Sequence, residues 1–121
     1  MAATGHAGEE LTMKAFDVVR RLKGPGEYIL GSKETGSHAC YLIYGIIGPG
    51  EKGRELRPGS GHEEIVLALT GDLHLTGRYN GMLKQGQAIH LAGEDTVQVE
   101  NRNNAETVYV ISGGHSDGGH H

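Results

Sequence analysis

The chain has 121 residues, a formal net charge of -4 and 21 glycines, with one Phe and no Trp. That length fits one domain with a core of its own, and the glycine content suits a turn-rich β protein better than a helical bundle. The acidic balance, with no Lys/Arg stripe, argues against nucleic-acid binding, and no apolar run approaches the roughly 20 residues needed to cross a bilayer.

Residues 1–13 are small and polar at first and are expected to form a flexible N-terminus. Leu11 to Lys23 carries Phe16, Val18, Val19 and Leu22, which permits a short amphipathic helix ended by Gly24-Pro25-Gly26; a strand over Lys14 to Val18 is the alternative. Glu27 to Gly31 reads as a short strand, Ser32 to Ser37 as a polar turn and His38 to Ile47 as a long apolar strand. The single Cys40 lies in that strand and cannot form an internal disulfide; with no base evident nearby it is expected to be a buried, inert thiol. No secretory n-region with an apolar h-region opens the chain, so a cytoplasmic location is expected.

Gly48 to Gly61 contains five glycines and two prolines and reads as a loop, with one short strand around Arg54 to Arg57. Glu63 to Leu69 and Asp72 to Thr76 then form a hairpin about Thr70-Gly71-Asp72, and Asn80-Gly81 marks a second tight turn. Gln87 to Ala92, Thr96 to Glu100 and Thr107 to Ser112 complete an all-β domain over residues 14–112. Residues 113–121, Gly113 to His121, are expected to be a mobile His/Gly-rich tail. Its three histidines are a compositional sign of transition-metal binding, set against an expression-tag remnant or a solvated polar end.

Two histidines and a carboxylate stand out. His62 is two residues before Glu64, so on an extended strand both side chains point to one face, where imidazole and carboxylate can share a divalent ion. His90 lies among Ile89, Leu91 and Ala92 and is either a ligand, a pocket acid/base or a satisfied, partly buried histidine. His74 alternates with Leu73 and Leu75, which favours a surface position. His6 and His38 have no partner that the sequence identifies.

The segment from Gly50 to Gly71 resembles the first motif of the cupin family, G(X)5HXH(X)3-4E(X)6G, at both ends: Gly50 opens it, and Glu64 is followed after six residues by Gly71. The two histidine positions are filled by residues such as Leu56, Pro58 and Ser60. Gly86 to Gly93 resembles the opening of the second motif, with Ala92 in the proline position, Asn101 as the closing asparagine and Val97 where a histidine is usual.

The resemblance implies a double-stranded β-helix, or jelly-roll, cupin barrel whose ligands lie inside. It implies a divalent metal ion (Fe, Mn, Ni, Zn or Cu) held by the rearranged set His62, Glu64 and His90, with Glu63 as a substitute and Glu63, Tyr41 and His74 as further pocket residues. Dioxygenase-like or isomerase-like chemistry on a small molecule would follow, with Glu63 or Tyr41 moving a proton. The alternative is a non-catalytic cupin module that binds a small ligand or a partner without metal. Convergence of His62, Glu64 and His90 inside the barrel separates the two. The resemblance also implies a homodimer, with the N-terminal segment and Tyr41 to Ile47 at the interface.

Overall fold

Alternate residues of the apolar segments face a shared interior, and that period of two builds strands rather than helices. The computed structural model describes residues 13–116. Nine strands form within them: β1 (Gly26–Leu30), β2 (Cys40–Ile47), β3 (Arg54–Leu56), β4 (His62–Ala68), β5 (Leu73–Gly77), β6 (Gly81–Leu83), β7 (Ala88–Ala92), β8 (Val97–Glu100) and β9 (Thr107–His115). They assemble into a five-stranded sheet of order β1-β2-β9-β4-β7 and a four-stranded sheet of order β3-β8-β5-β6, with antiparallel neighbours throughout.

The sheets close on one core. Ile43, Val66, Tyr109 and Ile111 enter it from the larger sheet, and Leu73, Leu75, Val97 and Val99 from the smaller. Leu73, Val97, Val99 and Tyr109 are completely excluded from solvent. The hairpin of β4 and β5 expected about Thr70-Gly71-Asp72 does connect consecutive strands, but β4 and β5 belong to different sheets, so the connection turns a corner of the sandwich. Turn chemistry identifies a reversal of the chain; it does not say whether the two strands bond to each other.

Asn101, the closing residue of the second motif, lies at another corner and is fully buried. Its Nδ2 donates to the carbonyls of Ile47, Gly48 and Ala105 at 2.9–3.0 Å, and its Oδ1 accepts from the Asn103 amide. One side chain thereby holds together the end of β2 and the turn between β8 and β9.

Three local expectations are corrected. The described part of Leu11 to Lys23 forms only a one-turn 3-10 helix, Val19–Arg21, with no buried residue to anchor a longer amphipathic helix. The polar stretch after β1 is a short helix, α1 (Ser32–Thr35), in which Glu34 Oε1 accepts the Gly31 amide at 2.9 Å. Strand β9 continues through Gly113 and Gly114 to His115, because the backbones of Cys40–Tyr41 and His62–Glu64 flank it on both sides and satisfy its hydrogen-bonding groups. His6, His120, His121 and residues 1–12 of the N-terminal segment expected to be flexible lie outside the described residues. Among the described residues no helix is long and apolar enough to cross a membrane.

Candidate functional site

Strand β4 sends Glu64, Val66 and Ala68 into the barrel, all buried, and Glu63 and Ile65 outward. His62 shares the inward parity of Glu64, as its spacing requires. Across the sheet, Tyr41 on β2 is opposite Gly113 on β9, which is opposite Glu64 on β4. The Tyr41 ring covers Gly113, where any Cβ would overlap it. That approach carries the phenol to Glu64: Tyr41 Oη donates to Glu64 Oε2 at 2.6 Å, and Glu64 is only 6% exposed. Burial, then the hydrogen bond to Glu64 and its negative charge, push the Tyr41 hydroxyl above the ordinary phenol range.

One row further out the barrel opens. His62 pairs with His115 in the β4–β9 register, and their ring centroids are 4.8 Å apart. Tyr41 meets the His62 ring edge-on at 6.0 Å, and His62 Nδ1 lies 3.2 Å from the Ser60 carbonyl oxygen. These side chains, with Ile29, His38 and Cys40 at the rim, line a cavity of about 220 Å³. Cys40 is exposed rather than buried, because it is the first residue of β2 and lies at the open end of the sheet.

The proposed metal set does not come together. On β7, Ile89 is opposite Val66 and Leu91 opposite Glu64, both inward rows, which turns the intervening His90 to the outer surface. There His90 Nε2 lies 2.8 Å from Glu63 Oε1, with the two side chains 60% and 46% exposed. His62 and Glu64 are thus on one side of the sheet and His90 and Glu63 on the other, so Glu63 is no substitute ligand. His74 is also outside, opposite Glu100 on the smaller sheet. Of the further pocket residues only Tyr41 lines the mouth.

The donor chemistry of the interior agrees with this geometry. Glu64 is committed to Tyr41, and among the described residues every buried side-chain nitrogen or oxygen has a hydrogen-bond partner. No group of three or more His, Cys, Asp or Glu among them is placed to hold a metal ion. A mononuclear site of the kind the resemblance implies needs three or four converging ligands, and the residues present do not fit it.

The far end of the barrel repeats the tyrosine arrangement. Tyr109 covers Gly45 and donates to Glu27 Oε2. Arg54 Nη1 donates to the same phenol oxygen at 3.2 Å and to the Ile46 carbonyl at 2.8 Å, while its Nη2 pairs with Glu51 at 2.9 Å. Burial and the Glu27 bond raise the Tyr109 hydroxyl, with Arg54 opposing. A signal for both ends is present in the sequence: Tyr41-Leu42-Ile43-Tyr44-Gly45 and Tyr109-Val110-Ile111-Ser112-Gly113 share the pattern Tyr-x-Ile-x-Gly. His115 and His38 were missed for a different reason: nothing local distinguishes a tail or loop histidine from one at a barrel mouth.

No family model matches the chain, and no curated protein is similar to it at a significant level. Solved structures are similar in fold. A cupin 2 conserved barrel domain protein from Salinispora arenicola is 16% identical with a TM-score of 0.70, over 88% of this chain and 92% of that one. Peruvianin-I, a cysteine peptidase from Thevetia peruviana latex, also gives 0.70 at 10% identity, over 87% and 74% of the two chains. A predicted oxalate decarboxylase from Thermotoga maritima gives 0.59 at 17% identity, over 74% and 81%. The chain therefore has the cupin fold, a small double-stranded β-helix of two antiparallel sheets. At such identities the likeness concerns the fold and not the activity.

Proposed function

We propose that this cupin module binds a compact, hydrogen-bond-accepting ligand at the mouth of its barrel without a metal ion. The observation that carries the reading is the 2.6 Å bond between Tyr41 and the buried Glu64. The carboxylate at the motif's ligand position accepts a hydrogen bond from a phenol instead of facing an ion, and freeing it would leave that phenol unpaired. Above the pair, His115 offers a ring nitrogen, His62 is held by its Nδ1–H on the Ser60 carbonyl with Nε2 as its second polar atom, and the hydroxyls of Ser32 and Ser37 line the same cavity. Its volume of about 220 Å³ is below the ~300–1,000 Å³ of sites for drug-sized ligands. A small carboxylate suits those donors and that space.

Protein ending at Ser116 and purified without nickel chromatography tests the proposal, since a cut after Gly114 would remove His115 from β9. Elemental analysis should find no stoichiometric metal, and acetate, pyruvate and benzoate should be screened by amide chemical shifts at Tyr41, His62 and His115. Binding that survives chelator and is lost in His62→Ala supports the reading. Near-stoichiometric metal that disappears in Glu64→Ala would overturn it in favour of a metal centre in the barrel.

The proposal extends to a homodimer through the outer face of the larger sheet. Leu30, Leu42, Ser112, Ile65 and His90 form one continuous outward row there, and Ile65 is 53% exposed. A second copy can pair this face with itself about a two-fold axis. Light scattering on wild type and Ile65→Lys tests it: a dimer that becomes a monomer is the expected outcome, and a monomeric wild type overturns it.

A further inference from the structure

Outside the barrel, the smaller sheet carries a cavity of about 620 Å³, far larger than the mouth. Its floor follows from register. Leu75 and Val99 are buried in the core, so the residues around them on β5 and β8 face out: His74 is paired with Glu100, and Thr76 with Gln98. Gly53 flanks this floor on the β3 side and Gly81 on the β6 side, and a Cβ at either would stand in open space. The absence of side chains at those two positions leaves the trough open along its length.

The two ends differ chemically. At the His74–Glu100 end, Lys52 and Arg102 contribute two cations, and Arg102 Nη2 lies 3.1 Å from Glu100 Oε1. Both partners of that ion pair reach solvent, so it is weak and an incoming anion can replace Glu100 against Arg102. At the Thr76–Gln98 end the lining groups are a hydroxyl and an amide. The Asn80 amide at this end is turned to the backbone of Gly77. His74 supplies the only aromatic ring among the described lining residues, and the apolar side chains Leu75 and Val99 are buried beneath the floor.

We propose that this trough is a second ligand site, taking a small polyhydroxylated anion, a sugar acid or sugar phosphate, with its anionic group at Lys52 and Arg102 and its hydroxyls at Thr76 and Gln98. The cations supply attraction in a chain whose net charge is -4, and the neutral donors and acceptors select the hydroxylated body.

Amide chemical-shift titration of the full chain with gluconate, glucose 6-phosphate, glucose and inorganic phosphate tests the assignment. Gluconate, glucose 6-phosphate or both should move the resonances of Gly53, Thr76, Gly81 and Gln98 with a dissociation constant of about 1 mM or tighter, leaving Tyr41 and His62 in place. Response to only one of them identifies the anionic group as carboxylate or phosphate. The Lys52→Ala/Arg102→Ala double variant should weaken binding about tenfold or more. Thr76→Ala/Gln98→Ala should weaken the sugar anions while leaving inorganic phosphate unchanged. The proposal is overturned by silence of these resonances, by shifts confined to the barrel mouth, by glucose or inorganic phosphate binding as tightly as the sugar anions, or by wild-type affinity in the Lys52/Arg102 variant.

Discussion

Tyr41 lies across Gly113, and the pairing recurs with the partners' strands exchanged: Tyr109 on β9 lies across Gly45 on β2. The two pairs flank Ile43 and Ile111, which are themselves opposite each other. Antiparallel pairing thus relates the two Tyr-x-Ile-x-Gly segments by a local two-fold. Each tyrosine uses the bare backbone of its glycine to bring a phenol to a carboxylate, Glu64 in one case and Glu27 in the other.

Adding a methyl at either glycine should be costly. Gly45→Ala and Gly113→Ala place a Cβ inside the facing ring, and the ring cannot retreat without breaking its carboxylate bond. A loss of about 2–4 kcal/mol is expected for each by urea denaturation. Gly45→Ala should be the worse, because Tyr109 is fully buried while Tyr41 lies nearer the open end.

Tyr41→Phe tests the interior bond itself. It leaves the Glu64 carboxylate buried without its phenolic donor, at a cost of about 1–3 kcal/mol. Glu64→Gln keeps an acceptor for the phenol and should cost less. If Tyr41→Phe matches wild type in denaturation midpoint, Glu64 has another partner and the metal-free reading loses its main support.

Alkaline pH should act through the same two residues. The folded state raises the Tyr41 and Tyr109 hydroxyls above their ordinary range, by burial first and by the carboxylates second. The stability this provides is present in full below the unfolded phenol pKa of about 10 and is lost as pH rises through the higher folded values. Wild type should therefore lose stability steeply above about pH 10, and Tyr41→Phe or Tyr109→Phe should each flatten that fall. Phenolate absorbance followed during unfolding measures it directly.

The strands were legible because alternation and turn residues act locally, and the shared face of His62 and Glu64 on β4 followed from their two-residue spacing. The inward face of β7 was not. Ile89, His90, Leu91 and Ala92 give no clean alternation, and a one-residue change of facing moves His90 from the interior to the surface. The end of β9 was hidden for a different reason. Gly113-Gly114-His115 has the composition of a tail, and only the ladders on both sides make it strand.

His90→Ala should confirm that facing. With its side chain paired only to an exposed Glu63, removal should change stability by about 0.5 kcal/mol or less and leave mouth binding unaltered. His62→Ala should abolish binding with a comparably small effect on folding. Equal loss of binding in both would place His90 in the site after all.

Asn101→Ala should be among the most destabilising polar substitutions. It removes two amide N–H donors, which serve three carbonyls between them, and one acceptor from a fully buried corner, and a loss of about 3–4 kcal/mol is expected in thermal or urea unfolding. Asn101→Asp, which keeps the acceptor toward Asn103 but loses the donors and buries a charge, should be no milder.

The Tyr109–Glu27–Arg54 network has a consequence for traffic. With that end held by a buried tyrosine and the middle filled by Ile43, Val66 and Ile111, the barrel is a cup and not a tube. Whatever enters past His62 and His115 must leave by the same door. Arrival of one ligand and departure of another cannot overlap, so a tightly held occupant blocks the site simply by staying.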